Sequence, residues 1–165
     1  MSGADLCSAL EEIGLRDVAA FRASGNVIFA ADGGSQNRIA SAIEERLEQA
    51  LGYEVPVILR TAGEVRAIAA HQPFSAKELK SSKGKLQVVM LSRRPAKGAQ
   101  RAVLELATND DRLAFGQQEL YWLPSAGTQQ SELDFKAIGK LLGPTTTTVR
   151  TKGTVEQIAA KFFGD

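Results

Sequence analysis

The sequence predicts an α+β protein of two similar halves, each an antiparallel sheet backed by helices. Three observations predict it. Short runs such as "VIFA" and "VPVIL" alternate inward and outward residues, the period of a half-buried strand. Between them lie stretches with apolar residues three and four apart, the period of a helix with one buried face. The order of these runs from Lys85 onward is strand, helix, strand, strand, helix, strand, and the order before it is helix, strand, strand, helix, strand.

In residues 3–13, Leu6, Leu10 and Ile13 share one helical face, and Gly14 stops the helix. "VAAFRASGNVIFAA" reads as two strands joined at Ser24-Gly25-Asn26, residues that tolerate positive φ. "DGGSQN" is a loop. Residues 37–51 form a helix with Ile39, Ile43, Leu47 and Leu51 on one side. "EVPVILR" alternates Val55, Val57 and Leu59 against Pro56, Ile58 and Arg60, a strand whose proline favours its start or an edge. Thr61 and Glu64 have capping-box spacing and open a short helix. "SAKELKSSKGK" is polar and reads as an exposed connection.

"KLQVVMLSRR" is an apolar run bounded by charge, the pattern of a buried strand. Residues 97–107 form a helix with Ala99, Val103 and Leu106 inward, and "RLAFGQQELYWLP" splits at Gly116 into two strands. Residues 132–142 form a helix on Phe135, Ile138 and Leu142. "TTTTVRT" is a strand, because threonine is β-branched. Thr154 and Gln157 then mark a last helix with Val155, Ile158, Ala159 and Phe162 inward.

The second string is the split βαβ, or ferredoxin-like, motif, and the first matches it with the leading strand missing. The expected division is therefore an incomplete ferredoxin-like subdomain with a connecting helix over residues 1–74, a linker over 75–84, and a ferredoxin-like subdomain with a tail helix over 85–165. The leading strand of this motif sits centrally. Without it, "VIFA" and "VPVIL" lose their common neighbour, at roughly 0.5–1.5 kcal/mol per hydrogen bond. Three outcomes follow: the two strands close on each other, another chain supplies the strand in a homodimer, or the reading frame begins late.

Composition narrows the function classes. A formal charge of +1 gives no global field toward nucleic acid or anionic lipid. The longest apolar runs are far too short to span a membrane. The opening "MSGADLCSALEEIG" has no basic region, so a cytoplasmic protein is expected. Cys7 is the single cysteine and His71 the single histidine, which excludes intramolecular disulfides and the usual structural zinc sets. No cofactor is expected.

Several segments together resemble a known family: "ADLCSALEEIGLRDVAAFRASGNVIF", "GYEVPVILRTAGEVRAI", "HQPF", "ELYWLPSAG" and "TTTTVRTKGTVEQIA". The chain resembles bacterial domain-of-unknown-function family 1697 over nearly its whole length. The resemblance implies two ferredoxin-like subdomains and implies no enzymatic activity. It departs from the family pattern at the N-terminus, where relatives have a strand and a Gly-rich segment. It departs again after Arg150, where Thr151, Lys152 and Gly153 follow.

Two segments could meet an anion. If Thr145–Lys152 is extended, Thr146, Thr148, Arg150 and Lys152 share one face and lead to Thr154 at a helix N-terminus. The plain alternative is a polar strand running into a capped helix. In the other, Arg22, Ser24, Gly25 and Asn26 make a turn whose amides could hold an anion, or only a hairpin whose glycine serves the backbone. Cys7 at the border of an apolar stripe reads as packed, and His71 as a helix end, so no catalytic residue is assigned. Lys77, Lys80, Lys83, Lys85, Arg93, Arg94, Lys97 and Arg101 lack interleaved aromatics and read as solvated. The adjacent pairs Glu11-Glu12, Glu44-Glu45 and Asp110-Asp111 diverge around a helix and read as solvated too.

The leading functional expectation is a non-enzymatic module binding an anionic small molecule or nucleotide. The alternatives are an enzyme using the same cleft, and an interaction module pairing through an open sheet.

Overall fold

The computed structural model describes residues 1–22 and 25–164. The chain is α+β, with two separate antiparallel sheets, and forms two compact units, Met1–Leu59 and Arg60–Asp165.

The first unit holds α1 (Gly3–Glu12), β1 (Arg16–Phe21), β2 (Asn26–Ala30) and α2 (Gln36–Leu51). A reciprocal cap starts α1: the Asp5 amide donates to Ser2 Oγ at 3.1 Å, and the Ser2 amide to Asp5 Oδ2 at 3.1 Å. Ser35 caps α2, and Gly52 ends it in the left-handed region at φ 81°. The strands β1 and β2 pair antiparallel, with Ala20 opposite Val27 and Ala19 opposite Ile28. Leu10, Ile43 and Leu47 form the buried core, and Val27, Phe29, Val55, Val57 and Leu59 pack against it.

The strand expected at 54–60 is absent as a strand. Those residues join no β-ladder among the described residues. Their side-chain alternation is nonetheless present, since Val55, Val57 and Leu59 reach the core while Pro56 and Ile58 do not. The physical reason is pairing: alternation needs only an apolar surface to lie on, whereas a strand needs a neighbour to bond. The first of the three outcomes, closure of "VIFA" on "VPVIL", does not occur.

The second unit runs α3 (Ala62–Ala70), α4 (Ala76–Ser81), β3 (Gln87–Leu91), α5 (Lys97–Leu104), β4 (Asp111–Phe115), β5 (Glu119–Pro124), α6 (Phe135–Leu142), β6 (Thr147–Thr151) and α7 (Lys152–Phe162). Its sheet has the order β4-β5-β3-β6, all antiparallel, which is the ferredoxin-like arrangement with the first strand central.

Both faces of this sheet are covered. Val89, Leu91, Leu120 and Trp122 pack with Val103 of α5 and Ile138 of α6. On the other face, Val88 and Tyr121 pack with Ile68 of α3 and Val155 of α7. Strand β5 is consequently buried at every residue. The helix at 62–70, expected with residues 1–74, thus belongs to the second unit. The expected linker also contains α4, opened by a reciprocal cap between Ser75 and Glu78.

Candidate functional site

The threonine-rich strand presents the predicted face in part. Cross-strand partners share a face: Thr148 lies opposite Met90 and Arg150 opposite Val88, both on the α3/α7 side of the sheet. Arg150 Nη1 donates to Thr148 Oγ1 at 2.7 Å and to the Val149 carbonyl at 2.8 Å. Burial lowers the pKa of the Arg150 guanidinium from its ordinary value. Thr146 lies just before β6, and its amide donates to Ser92 Oγ at 2.8 Å.

Lys152 departs from that row. It is 4% exposed, and its Nζ donates to the Ala69 carbonyl at 2.9 Å and lies 3.6 Å from Glu156. An ammonium at the C-terminal turn of α3 meets carbonyls that the helix itself leaves without donors. Its charge therefore ties α7 to α3 and already has partners within the protein.

The N-terminus of α7 is also occupied. Its cap is Thr151, not Thr154: Thr151 Oγ1 accepts from the Thr154 amide at 3.2 Å and lies 2.8 Å from Thr154 Oγ1. The Lys152 amide donates to the Leu86 carbonyl at 2.8 Å.

The "RASGN" turn lies in the first unit. Gly25 has φ 78° and Arg22 has φ 61°, with the Arg22 guanidinium 5.3 Å from the centre of the Phe21 ring. Asn26 Nδ2 donates to the Phe21 carbonyl at 3.2 Å, which fastens the turn. Ser24 lies outside the described residues. Arg22, Gly25 and Asn26 thus lie together within the first unit, and Thr148 and Arg150 together within the second. His71 caps α3 through its backbone amide, and its ring sits 4.8 Å from that of Tyr121.

Two buried polar clusters escaped the sequence. Asp111, expected to be solvated, is 1% exposed. It accepts from Ser131 Oγ at 2.7 Å, Trp122 Nε1 at 2.9 Å and Thr108 Oγ1 at 3.1 Å. Burial pushes its pKa up, but these donors outweigh burial and hold it below the usual carboxylate value. The signal was Trp122 itself, since a buried indole N–H needs an acceptor. In the other cluster, Arg60 bonds Glu119 and the carbonyls of Leu91 and Gln118. Tyr121 stands beside it; burial first, then the Glu119 charge, raises its phenol pKa.

A shallow groove lies between the α5 N-terminus and α6, lined by Arg93, Arg94, Ala96 and Leu142 among others, with a volume of ≈ 170 Å³. Ligand pockets usually exceed about 300 Å³. No predicted anion-site residue lines it. Among the described residues, no group of three or more His, Cys, Asp or Glu could hold a metal ion. No helix among them is long and apolar enough to cross a membrane.

The remaining feature is an edge. Strand β2 pairs on one side only, with β1, while segment 54–58 joins no ladder among the described residues, yet both lean on the same core.

The fold matches that of a conserved bacterial protein from Streptococcus pneumoniae, with a TM-score of 0.69 and 18% identity, over 96% of this chain and 87% of that one. At that identity the likeness concerns the fold alone. No curated protein matches. Residues 1–121 match the family described as "Protein of unknown function (DUF1697)", and the chain belongs to that family.

Proposed function

We propose that this protein is an interaction module that takes up an extended strand of another polypeptide at the open sheet of its first unit. One observation carries the reading. Val27 and Phe29 of β2, and Val55 and Val57 of the following segment, rest on one core, but β2 and that segment share no ladder. In the second unit the corresponding place holds β3, bonded to a strand on either side. Strand addition would satisfy backbone groups that otherwise rely on water.

The anionic-ligand reading is weaker, because Lys152 and the first amides of α7 already have partners within the protein. No reaction is proposed. The single cysteine, Cys7, which forms no intramolecular disulfide, supports a cytoplasmic setting for the interaction.

Hydrogen exchange tests the reading. The β2 amides that point away from β1 should exchange quickly in the protein alone and slow when a peptide of alternating valine and threonine is added. A twin peptide with N-methylated backbone should give no protection, because it cannot donate to a ladder. Equal protection by both peptides, or by neither, would sink the proposal.

A further inference from the structure

The sheet of the second unit has an open margin of its own. Strand β6 pairs with β3 and, among the described residues, with no other strand. The register tells which backbone groups are left over. The Ser92 amide donates to the Thr146 carbonyl, and the Lys152 amide to the Leu86 carbonyl. Bonded pairs alternate along an antiparallel ladder, so Val88 with Arg150 and Met90 with Thr148 complete the set. The amides of Thr147, Val149 and Thr151 therefore point away from β3, and they have no acceptor among the described residues. Arg150 Nη1 donates to the Val149 carbonyl at 2.8 Å, but a carbonyl oxygen keeps a second lone pair. Val149 lies opposite Val89, on the α5/α6 side of the sheet, yet is 46% exposed. The helices of the unit thus leave the centre of this margin uncovered.

The strand also says what fits it. Thr147-Thr148-Val149-Arg150-Thr151 is nearly symmetric about its central valine. A second copy, turned about a two-fold axis at Val149, runs antiparallel to the first. It sets Val149 opposite Val149 and Thr147 opposite Thr151, so every outward residue meets an outward residue. Pairs of β-branched side chains and of threonines are favourable across strands. The only charge on the strand, Arg150, falls opposite Thr148 of the other copy and not opposite its like. Its guanidinium already donates to a hydroxyl of that kind, Thr148 Oγ1 of its own strand, at 2.7 Å. Moving the axis by two residues would set β6 against α7 of the other copy, or against the residues ahead of β6. A two-fold contact also closes on itself, whereas a head-to-tail one would continue into a fibre.

We infer that β6 is a self-association surface, on which a second copy of this chain pairs antiparallel about Val149 and joins two four-stranded sheets into one. The inference concerns a different strand from β2 and does not rest on strand acceptance there. With 5 residues a side, the contact is shorter than that of a standard interface of about 1,200–2,000 Å², so the dimer forms reversibly as concentration rises.

Sedimentation equilibrium of the full chain and two variants tests this. Val149→Lys sets two ammonium groups opposite each other, and Val149→Pro removes an outward amide while sparing every bond to β3. Each should raise the dimer dissociation constant at least about tenfold. A third variant reads the contact directly, should the first two fold poorly. In a Cys7→Ser background, Val149→Cys should oxidise to a disulfide dimer, because facing Cα atoms of a bonded pair lie about 5.5 Å apart. Glu105→Cys in the same background, exposed ahead of β4 at the opposite margin, should crosslink far more slowly. A wild type that stays monomeric up to ~1 mM would overturn the inference. So would a dimer that both folded variants form as readily as the wild type, or crosslinking no faster at 149 than at 105, since either puts the contact elsewhere. None of these outcomes bears on strand acceptance at β2.

Discussion

Arg60 Nε donates to Glu119 Oε2 at 3.0 Å, with the two side chains only 7% and 6% exposed. The guanidinium also reaches the carbonyls of Leu91 at 2.8 Å and Gln118 at 3.0 Å, so one cation joins the start of the second unit to the end of its sheet. Removing one partner of such a pair leaves the other charge buried. Glu119→Ala should therefore cost about 3–5 kcal/mol in urea unfolding. The double variant Arg60→Met/Glu119→Leu should cost less than Glu119→Ala alone, because it leaves no uncompensated charge.

Asp111 gives a pH dependence of definite sign. Its folded pKa lies below the ordinary value of 3.8 because Ser131, Trp122 and Thr108 overcome the effect of burial. A depressed carboxylate adds stability that is complete above the unfolded pKa and is lost as pH falls through the folded one. The urea midpoint of the wild type should thus drop as pH falls below about 4. In Asp111→Asn the midpoint should start lower at neutral pH and decline less steeply with acid.

Lys152 separates a structural from a ligand-binding role. Lys152→Met keeps the aliphatic packing but leaves the Ala69 carbonyl without its donor. The expected loss is about 1–3 kcal/mol, with faster hydrogen exchange in the last turn of α3. An unchanged thermal midpoint would show that the lysine does not hold α3 and α7 together.

Glycine substitutions should go in opposite directions. A Cβ on Gly84 would sit 2.3 Å from the Pro124 carbonyl oxygen and 2.9 Å from Pro124 Cγ, and backbone and ring cannot swing aside. Gly84→Ala should destabilise by roughly 1–3 kcal/mol. Gly98, within α5, has open space around the same position, and Gly98→Ala should stabilise by about 0.5–1 kcal/mol. Thermal unfolding of the two variants side by side checks both.

The second unit was legible because its signals are local. Strand β3 reads from an apolar run, α6 from Phe135, Ile138 and Leu142, and β6 from its threonines. Most of the misreadings involve partners distant in sequence. The period at Val55 and Val57 was real, but period reports which side chains face a core and not whether a neighbour bonds the backbone. Lys152 looked like part of a polar row because Ala69, its acceptor, lies 83 residues away. Asp111 looked solvated because its ligands include Ser131, 20 residues on. One miss was avoidable: Ser75 and Glu78 are spaced as a capping box inside the segment read as a bare connection. Of the predicted site, the Arg150–Thr148 pairing follows from strand geometry, while the use of Lys152 depends on α3 lying over the same face.

The pairing of β3 with β6, which sets Gln87 opposite Thr151, carries a consequence for synthesis. When β3 emerges from the ribosome, the segment that will close its outer edge has yet to be translated. Val88 and Leu91, both 0% exposed in the finished fold, must wait beside an unsealed margin until residues 147–151 have been read. A nascent chain that stalls before residue 147 would present that margin to whatever chaperone or aggregate is at hand.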